Sequence, residues 1–460
     1  MGLRDVTLFM VTAGASPQWA AVAGAAGPSS LVVWILGCLG MFLPLSVCVV
    51  FLSARHPDEG GLYVWSKKAF GDLAGFMTGW TYWLSNLPFL TGLLYFAAGS
   101  ALYLAGRPDA VTSASPGYFI GFSLLALLFA VWLNLRGLAI AKWLNNAGAL
   151  ARWLETLLLV ALGLAIWSRF GTVVPLDAQS MLPGFRLQDW IFWGTIAFAY
   201  TGPEAAAFMS GEIRDPQRTL PRSLAIAAPM IIAIYLLSTL SVIVAVAPEN
   251  LSALYGVMEA IRLSAERLGL AWLVPLGALF VILDRIGGFG LWLGVTARVP
   301  FAAGLDNYLP RSFARLDPRN GAPVVSLWVQ AAVMVVFIVL GQAGTTVRGA
   351  YNVLVGLMVV VTMLPFMALF ASAIRLSAGP AVPGEARIPG GRGTVVVMAS
   401  FGLVTTIAGM LLALVPAPGE ARPLLALLKI VGTTLAMLGI GFAFYRAGSA
   451  RARIAAAAAS

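Results

Sequence analysis

The chain has 460 residues, of which 60% are hydrophobic and 10% charged, and its net charge is +10. A soluble domain carries about 25% charged residues, so the composition excludes a soluble protein. Apolar runs of about twenty residues favour membrane helices over the alternating strands of a β-barrel. The positive charge lies in short loops, which argues against a nucleic-acid partner. His56 is the single histidine, and Cys38 and Cys48 share one apolar run. We therefore expect no metal site, no cofactor and no enzymatic activity.

Twelve membrane spans are predicted in one membrane domain covering residues 1–460. Their predicted ranges are 6–26, 30–54, 73–104, 117–135, 144–168, 190–211, 223–247, 270–302, 323–342, 349–375, 394–415 and 423–446. The polar run 253–267 predicts a short surface helix between spans seven and eight. The tail 455–460 is low in complexity, and we expect it to fray.

The loops on the two sides of the predicted membrane differ in positive charge. Of the 29 Lys and Arg residues, nineteen lie on the side of the two termini, seven on the other side and three within spans. Because Lys and Arg are enriched in cytoplasmic loops, we expect a multi-pass protein of the plasma (inner) membrane with both termini in the cytoplasm.

Spans one and six are both interrupted by glycine and proline at mid-span. The interruptions are Gly14–Pro17 in span one and Tyr200–Pro203 in span six. Proline removes a backbone donor, and a broken helix survives at membrane depth only where it is buried or lines a cavity. Paired breaks of this kind predict the binding site of a transporter.

Proline spacing suggests two related halves. Pro17 and Pro203 are 186 residues apart, and Pro88 and Pro275 are 187 apart. Five spans per half would place the halves in opposite orientations. Coincidence is the alternative, because prolines are common in membrane helices.

The breaks also offer ligand chemistry. We expect Ser16 to cap the second half of span one, with Pro17 as its first residue. Free N–H groups at the start of each second half would attract a carboxylate, and carbonyls before each break would attract an ammonium group. These N–H groups belong to Gln18, Trp19, Glu204 and Ala205. A site that offers N–H groups for a carboxylate and carbonyl groups for an ammonium group suits an amino acid zwitterion.

Three loop motifs carry a family resemblance. They lie at residues 58–71 before span three, at 212–221 after span six and at 298–323 after span eight. In this order they resemble the amino acid–polyamine–organocation (APC) superfamily over nearly the whole chain. The first motif is most similar to the glutamate–GABA antiporter branch, and the L-type amino acid transporter branch is also considered.

The resemblance implies an all-α, LeuT-type fold with an inverted five-plus-five repeat. The first repeat would cover 6–168 and the second 190–375, followed by two additional helices in 394–446 and a cytoplasmic tail at 447–460. It also implies substrate at the breaks of spans one and six, and a gating aromatic at Phe198. Where the family has a Gly-Ser-Gly type of stretch, this chain has Gly14–Pro17, which lacks one N–H group.

The predicted substrate site therefore gathers residues from both breaks. Its members are Ala13, Gly14, Ala15, Ser16, Gln18, Phe198, Tyr200, Thr201 and Gly202. Trp19 and Tyr200 flank the breaks and either wall the pocket or simply pack.

Charged residues inside the predicted spans are candidates for gating or coupling. Glu204 is either a proton sensor or gating acid, or a carboxylate held by the helix dipole. Arg152 lies where proton-coupled members of the family have lysine; it is either a fixed cation replacing the sodium of relatives or the partner of Glu155. Asp284 either pairs with Arg152 or faces a cationic substrate. Asp284 and Arg285 point about 100° apart on a helix, so we expect different partners for them.

The sequence thus predicts a secondary active amino acid transporter that works by alternating access, as an antiporter or a proton-coupled symporter. A polyamine or cationic amine transporter is the alternative substrate class, and a membrane sensor without transport is the alternative function. The expected partners are a small amino acid or amine, the lipid bilayer and, as a candidate coupling ion, the proton.

Overall fold

The computed structural model describes residues 2–459 except 57–59, 137, 253, 300–307, 320, 343–346, 380–387 and 417–421. Parts of the first and third loop motifs therefore lie outside the described residues. The described chain is helical, with turns and extended loops between the helices. This agrees with the rule that backbone groups in lipid must find their partners within the segment.

Spans one and six are broken where glycine and proline interrupt them. Span one consists of Leu3–Gly14 and Gln18–Gly24, and span six of Leu187–Ala199 and Pro203–Glu212. The second half of span six is a 3₁₀-helix, where a regular α-helical half was expected.

The other ten spans are continuous. They are span two Ser29–Arg55, span three Asp72–Leu104, span four Pro116–Leu135, span five Leu138–Phe170, span seven Pro216–Ala245, span eight Leu273–Thr296, span nine Val324–Gln342, span ten Val347–Ser377, span eleven Gly391–Ala413 and span twelve Pro423–Ala459. Among the described residues, nine of these helices are long and apolar enough to cross a membrane, and span nine is a shorter apolar helix.

Three local features differ from or add to the prediction. Span twelve continues as a helix to Ala459, so the tail does not fray before that residue; its run of alanines has the highest helix propensity. Span eight ends at Thr296 rather than near residue 302, and residues 300–302 lie outside the described part. The predicted surface helix is present at Gly256–Arg267.

Span two contains one wide helical turn. Residues Cys38–Phe42 form a π-helix, in which the N–H of Leu43 donates to the carbonyl of Cys38. Such a turn holds one more residue than an α-helical turn.

Spans five and eight approach each other unusually closely. A β-carbon added to Gly148 would lie 2.7 Å from the α-carbon of Gly287, so the two backbones are nearly in contact at these glycines. Small residues permit such approaches in membrane helices. The close packing brings the charged side chains of both spans beside span one.

Candidate substrate site

The two breaks lie directly against each other. Gly202 has φ +126°, and a β-carbon there would overlap the carbonyl oxygen of Ala13. A β-carbon on Gly14 would lie 2.9 Å from the side chain of Pro203. Glycine is therefore needed at both positions, at Gly202 for backbone conformation as well as for space.

Tyr235 of span seven joins the two breaks. Its hydroxyl lies 2.8 Å from the carbonyl oxygen of Gly14 and 2.7 Å from that of Ala199. The N–H of Ser16 donates to the same hydroxyl at 3.4 Å. A phenol has one hydrogen to donate, so the two carbonyl oxygens share it. Tyr235 was not predicted as a site residue, because nothing in the sequence of span seven indicates that its tyrosine lies beside the breaks.

An aromatic stack holds Tyr235 in place. The Trp34 ring of span two stacks on the Tyr235 ring with centroids 4.0 Å apart, and Trp34 Nε1 donates to the hydroxyl of Thr239 at 2.9 Å. Tyr200 packs edge-on against both rings, and its hydroxyl donates to the Trp34 carbonyl at 2.8 Å. Spans two, six and seven are thereby fastened together beside the breaks.

Glu204 is buried at the start of the second half of span six. Its Oε2 accepts a hydrogen bond of 2.6 Å from the N–H of Gly202, and its Oε1 accepts one of 3.3 Å from the hydroxyl of Tyr82. The residue is 2% exposed. This geometry matches the second interpretation of Glu204, a carboxylate held at a helix N-terminus, and adds span three as a partner.

A cavity of about 60 Å³ lies at the breaks. Its walls combine aromatic rings with small polar side chains. The lining residues are Ala13, Ser16, Trp19, Tyr82, Ser85, Asn86, Phe89, Phe198, Ala199, Thr201, Gly202, Glu204, Tyr235, Trp292 and Thr362. Ligand pockets usually measure about 300–1,000 Å³, so this cavity is smaller than a typical ligand pocket.

The predicted substrate residues divide into two groups. Five of them line the cavity, namely Ala13, Ser16, Phe198, Thr201 and Gly202. Gly14, Ala15, Gln18 and Tyr200 are not among its lining residues. Of the two aromatic residues that flank the breaks, Trp19 lies on the wall, whereas Tyr200 is fully buried in the aromatic stack.

Ser16 does not cap the second half of span one. Pro17 occupies the N-cap position without a side-chain cap, and the Ser16 hydroxyl instead accepts a hydrogen bond from Arg285 Nη1 at 3.4 Å. The N–H of Trp19 donates to the Ser16 carbonyl, and that of Ala205 to the Gly202 carbonyl. Tight turns at the breaks thus satisfy two N–H groups that were expected to face a ligand.

Phe198 and Trp19 meet across the cavity. Their ring centroids are 5.5 Å apart in an edge-on arrangement, and Phe198 is 7% exposed. The position of Phe198 before the second break is consistent with its expected place as a gating aromatic, and its gating role stays a prediction.

Span three contributes one wall of the cavity, which was not predicted from the sequence. Tyr82, Ser85, Asn86 and Phe89 recur at a spacing of three or four residues, so they share one helical face. Ser85 Oγ and Asn86 Nδ2 donate to the Tyr82 carbonyl at 2.8 and 2.6 Å. A polar stripe in the middle of an apolar span was the signal that could have found this wall.

Four charged side chains form a buried ion cluster between spans five and eight, namely Arg152, Glu155, Asp284 and Arg285. Arg152 Nε lies 2.8 Å from Asp284 Oδ1. Arg285 Nη1 lies 2.5 Å from Asp284 Oδ2, and Arg285 Nη2 lies 2.9 Å from Glu155 Oε1. Asp284 and Arg285 therefore contact each other directly, contrary to the expectation of separate partners, because the long arginine side chain can turn back. Glu155 pairs with Arg285 on the neighbouring span rather than with Arg152.

The ion cluster is attached to span one. Arg152 Nη1 donates to the carbonyl oxygen of Thr12 and, at 3.3 Å, to that of Ala15. These carbonyls belong to the end of the first half-helix, whose last oxygens have no intrahelical partner. The side chains of Asp284 and Arg285 are 1% and 0% exposed. Across the described residues, no group of three or more His, Cys, Asp or Glu side chains is placed to hold a metal ion.

Comparisons with known proteins agree with this architecture. The model of the amino acid permease family matches residues 3–436. An uncharacterized transporter of Legionella pneumophila is 27% identical over 394 residues, which cover 85% of this chain and 84% of that protein. The probable agmatine/putrescine antiporter AguD of Lactococcus lactis is 24% identical over 432 residues, covering 92% and 89%.

A solved structure has the same fold. The crystal structure of MhsT in complex with L-phenylalanine aligns with a TM-score of 0.54 over 96% of this chain and 97% of that one, at 14% identity. A likeness at this identity establishes fold alone, and it confirms the predicted all-α, LeuT-type architecture. The family match over nearly the whole chain confirms the resemblance to the APC superfamily. The chain belongs to the amino acid permease family and is a multi-pass membrane transporter of amino acids.

Proposed function

We propose that the protein is a sodium-independent, secondary active transporter of amino acids with uncharged side chains. The substrate binds at the breaks of spans one and six and crosses by alternating access. The protein lies in the plasma membrane with both termini in the cytoplasm, as the asymmetry of Lys and Arg in its loops indicates.

The proposal of sodium-independent transport rests on the contact between Arg152 and span one. Carbonyl oxygens at a broken helix are the groups that coordinate sodium in transporters of this kind. Here the carbonyls of Thr12 and Ala15 accept hydrogen bonds from the guanidinium of Arg152. Arginine keeps its charge at any physiological pH, so the position holds a permanent cation that belongs to the chain.

The lining of the cavity supports the substrate class. Glu204 is the one charged side chain among its lining residues, and both of its oxygens already accept hydrogen bonds. The carboxylates of Glu155 and Asp284 pair with arginines instead of lining the cavity. A polyamine would need free carboxylates, so this arrangement favours a zwitterion with a small or apolar side chain.

The two poles of a zwitterion have matching groups at the breaks. The ammonium group would donate to the carbonyl oxygens of Ala13 and Ala199, two residues that line the cavity. The carboxylate would lie beside Ser16, whose hydroxyl already accepts from Arg285. Positive charge on this side stabilises the carboxylate in a site that excludes water.

Counterflow in liposomes tests the proposal. Purified protein is reconstituted into vesicles loaded in turn with unlabelled neutral amino acids, cationic amino acids, agmatine or putrescine, and entry of the labelled form is followed in sodium or choline buffer. We expect trapped neutral amino acids to accelerate entry equally in both buffers. Faster entry only with the amines would overturn the substrate class, and a requirement for sodium would overturn the role of Arg152.

A further inference from the structure

The ion cluster contains one carboxylate oxygen without a partner. Glu155 is 0% exposed, its Oε1 binds Arg285, and its Oε2 accepts no hydrogen bond from any described residue. Arg285 bridges the carboxylates of Glu155 and Asp284, with Nη2 at 2.9 Å from Glu155 Oε1 and Nη1 at 2.5 Å from Asp284 Oδ2, so the two carboxylates are neighbours. Two neighbouring buried carboxylates repel each other, and a proton on one of them removes this repulsion.

The charges of the cluster select the residue that would accept this proton. The two guanidinium groups stay charged, so only the carboxylates can change state. Both oxygens of Asp284 contact arginines, at 2.8 and 2.5 Å, whereas Glu155 has one such contact. Two tyrosines lie beside the ion cluster: Tyr351 of span ten interacts with Arg285, and Tyr235 of span seven interacts with Arg152. A phenol is neutral at physiological pH, so it does not compete for the proton.

We infer that Glu155 is the proton-binding site of this transporter and that a proton moves in the same direction as each amino acid. The inference rests on the proposed function, because it couples the proton to the same substrate site. A proton on Glu155 neutralises the carboxylate that pairs with Arg285. The ion cluster is then left with one excess positive charge. Arg285 Nη1 lies 3.4 Å from the Ser16 hydroxyl at the cavity, so this charge strengthens binding of the substrate carboxylate.

Linkage makes the effect mutual. If protonation of Glu155 raises the affinity for the amino acid, binding of the amino acid raises the affinity for the proton by the same factor. The Phe96 ring covers the Arg285 guanidinium at 4.8 Å, which keeps water from screening these charges.

Burial ties proton exchange to the transport cycle. Glu155 has no exposed surface, and the first half of span one covers the cluster through the contacts of Arg152 with Thr12 and Ala15. A proton reaches Glu155 only when these contacts open. The same movement of span one opens the substrate site, so proton and amino acid load and leave together.

The test uses full-length protein in liposomes that enclose a pH-sensitive dye, with a neutral amino acid that gives counterflow and with the membrane potential held at zero. We expect wild-type uptake to acidify the interior. An inward proton gradient should drive accumulation of about tenfold per pH unit, the limit for one proton per substrate. Glu155→Gln, which resembles the protonated side chain, should retain counterflow but lose gradient-driven accumulation. Glu259→Gln, on the surface helix Gly256–Arg267, should leave both unchanged.

Each outcome is decisive. Wild-type protein that gives counterflow but no dye response during net uptake into vesicles without trapped substrate would overturn the inference and leave the proposed function standing. Gradient-driven accumulation by Glu155→Gln would do the same. An absence of counterflow with every amino acid would instead overturn the proposed function. If Glu155→Gln does not fold, the double variant Glu155→Gln/Arg285→Gln replaces it. That variant keeps the neutral Arg152–Asp284 pair but loses the positive charge beside Ser16, so it should transport with a higher KM and without pH dependence. Accumulation on a proton gradient would again refute the role of Glu155.

Discussion

The hydroxyl of Tyr235 lies 2.8 Å from the carbonyl oxygen of Gly14 and thereby joins span seven to the point where span one breaks. The same hydroxyl reaches the Ala199 carbonyl at the break of span six. Its single hydrogen satisfies one of the two oxygens at a time. When the hydrogen lies on the Gly14 oxygen, the Ala199 oxygen can accept from the ammonium group of the proposed substrate, and we therefore propose Tyr235 as a positioning residue.

Tyr235→Phe should weaken substrate binding. The variant removes a hydrogen bond worth about 0.5–1.5 kcal/mol, so we expect KM to rise about twofold to twelvefold while the protein remains folded. Uptake kinetics in liposomes measure this change. Tyr118→Phe is the matched control, because the Tyr118 hydroxyl also donates to a backbone carbonyl, that of Ala98 at 2.9 Å, but away from the cavity. An equal KM in both variants would refute the positioning role.

Arg152→Met should destabilise the fold strongly. It leaves the buried Asp284 carboxylate with fewer partners, and breaking a buried ion pair from one side costs about 3–5 kcal/mol. The double variant Arg152→Met/Asp284→Leu keeps the Glu155–Arg285 pair neutral and should recover most of the loss. Thermal unfolding in detergent follows both variants. Arg262→Met, which breaks the half-exposed pair with Glu266, should cost less than about 1 kcal/mol. Equal losses of stability in the three variants would show that the buried ion pair contributes no more to stability than the partly exposed one.

Gly202→Ala should abolish transport and lower stability. A left-handed conformation costs a non-glycine residue about 1–2 kcal/mol, and overlap with the Ala13 carbonyl adds about 1–3 kcal/mol. Gly171→Ala separates the two terms, because Gly171 has φ +72° with open space around it. We expect Gly171→Ala to lower the unfolding temperature slightly and to leave uptake intact. Normal uptake by Gly202→Ala would mean that transport does not require the close contact between the two breaks.

Phe198→Ala should impair substrate retention. The variant removes the edge-on contact with Trp19 and opens the cavity, so we expect KM to rise about tenfold. Counterflow at several substrate concentrations measures the shift. Phe185→Ala removes a similar aromatic contact, with Trp190, from an exposed loop and should leave KM unchanged. If Phe198→Ala keeps the KM of the native protein, Phe198 is a packing residue only.

The fold was largely predictable from the sequence because the spans other than one and six are continuous, mostly apolar runs. Lipid leaves helices as the one solution for such runs, so helix number and order follow directly. The breaks were visible too, since glycine and proline at mid-span have few structural alternatives. The conformation after Pro203 was less predictable, because an α-helix and a 3₁₀-helix differ little in their sequence requirements.

Contacts between spans were the unpredictable part. Glu155 lies three residues after Arg152 on the same helix, and spacing alone favoured a pair between them. The close approach of Gly148 and Gly287 instead brings Arg285 of the neighbouring span within 2.9 Å of Glu155. Span order along the chain does not give this approach. For the same reason Tyr82 and Trp292 lay far from the breaks in sequence but line the cavity in space.

The wide turn at Cys38–Phe42 makes span two tolerant of losing a residue at one place. Deleting one residue there would convert the turn to an ordinary α-helical one without breaking the helix. The five residues of the wide turn make about the same rotation as four α-helical residues, so the two ends of the span would keep nearly the same faces. Trp34 would stay beside Tyr235, and Cys48 would stay at its buried site. The wide turn would thus absorb a single-residue deletion, whereas the same deletion elsewhere in span two would turn one half of the helix by about 100° relative to the other.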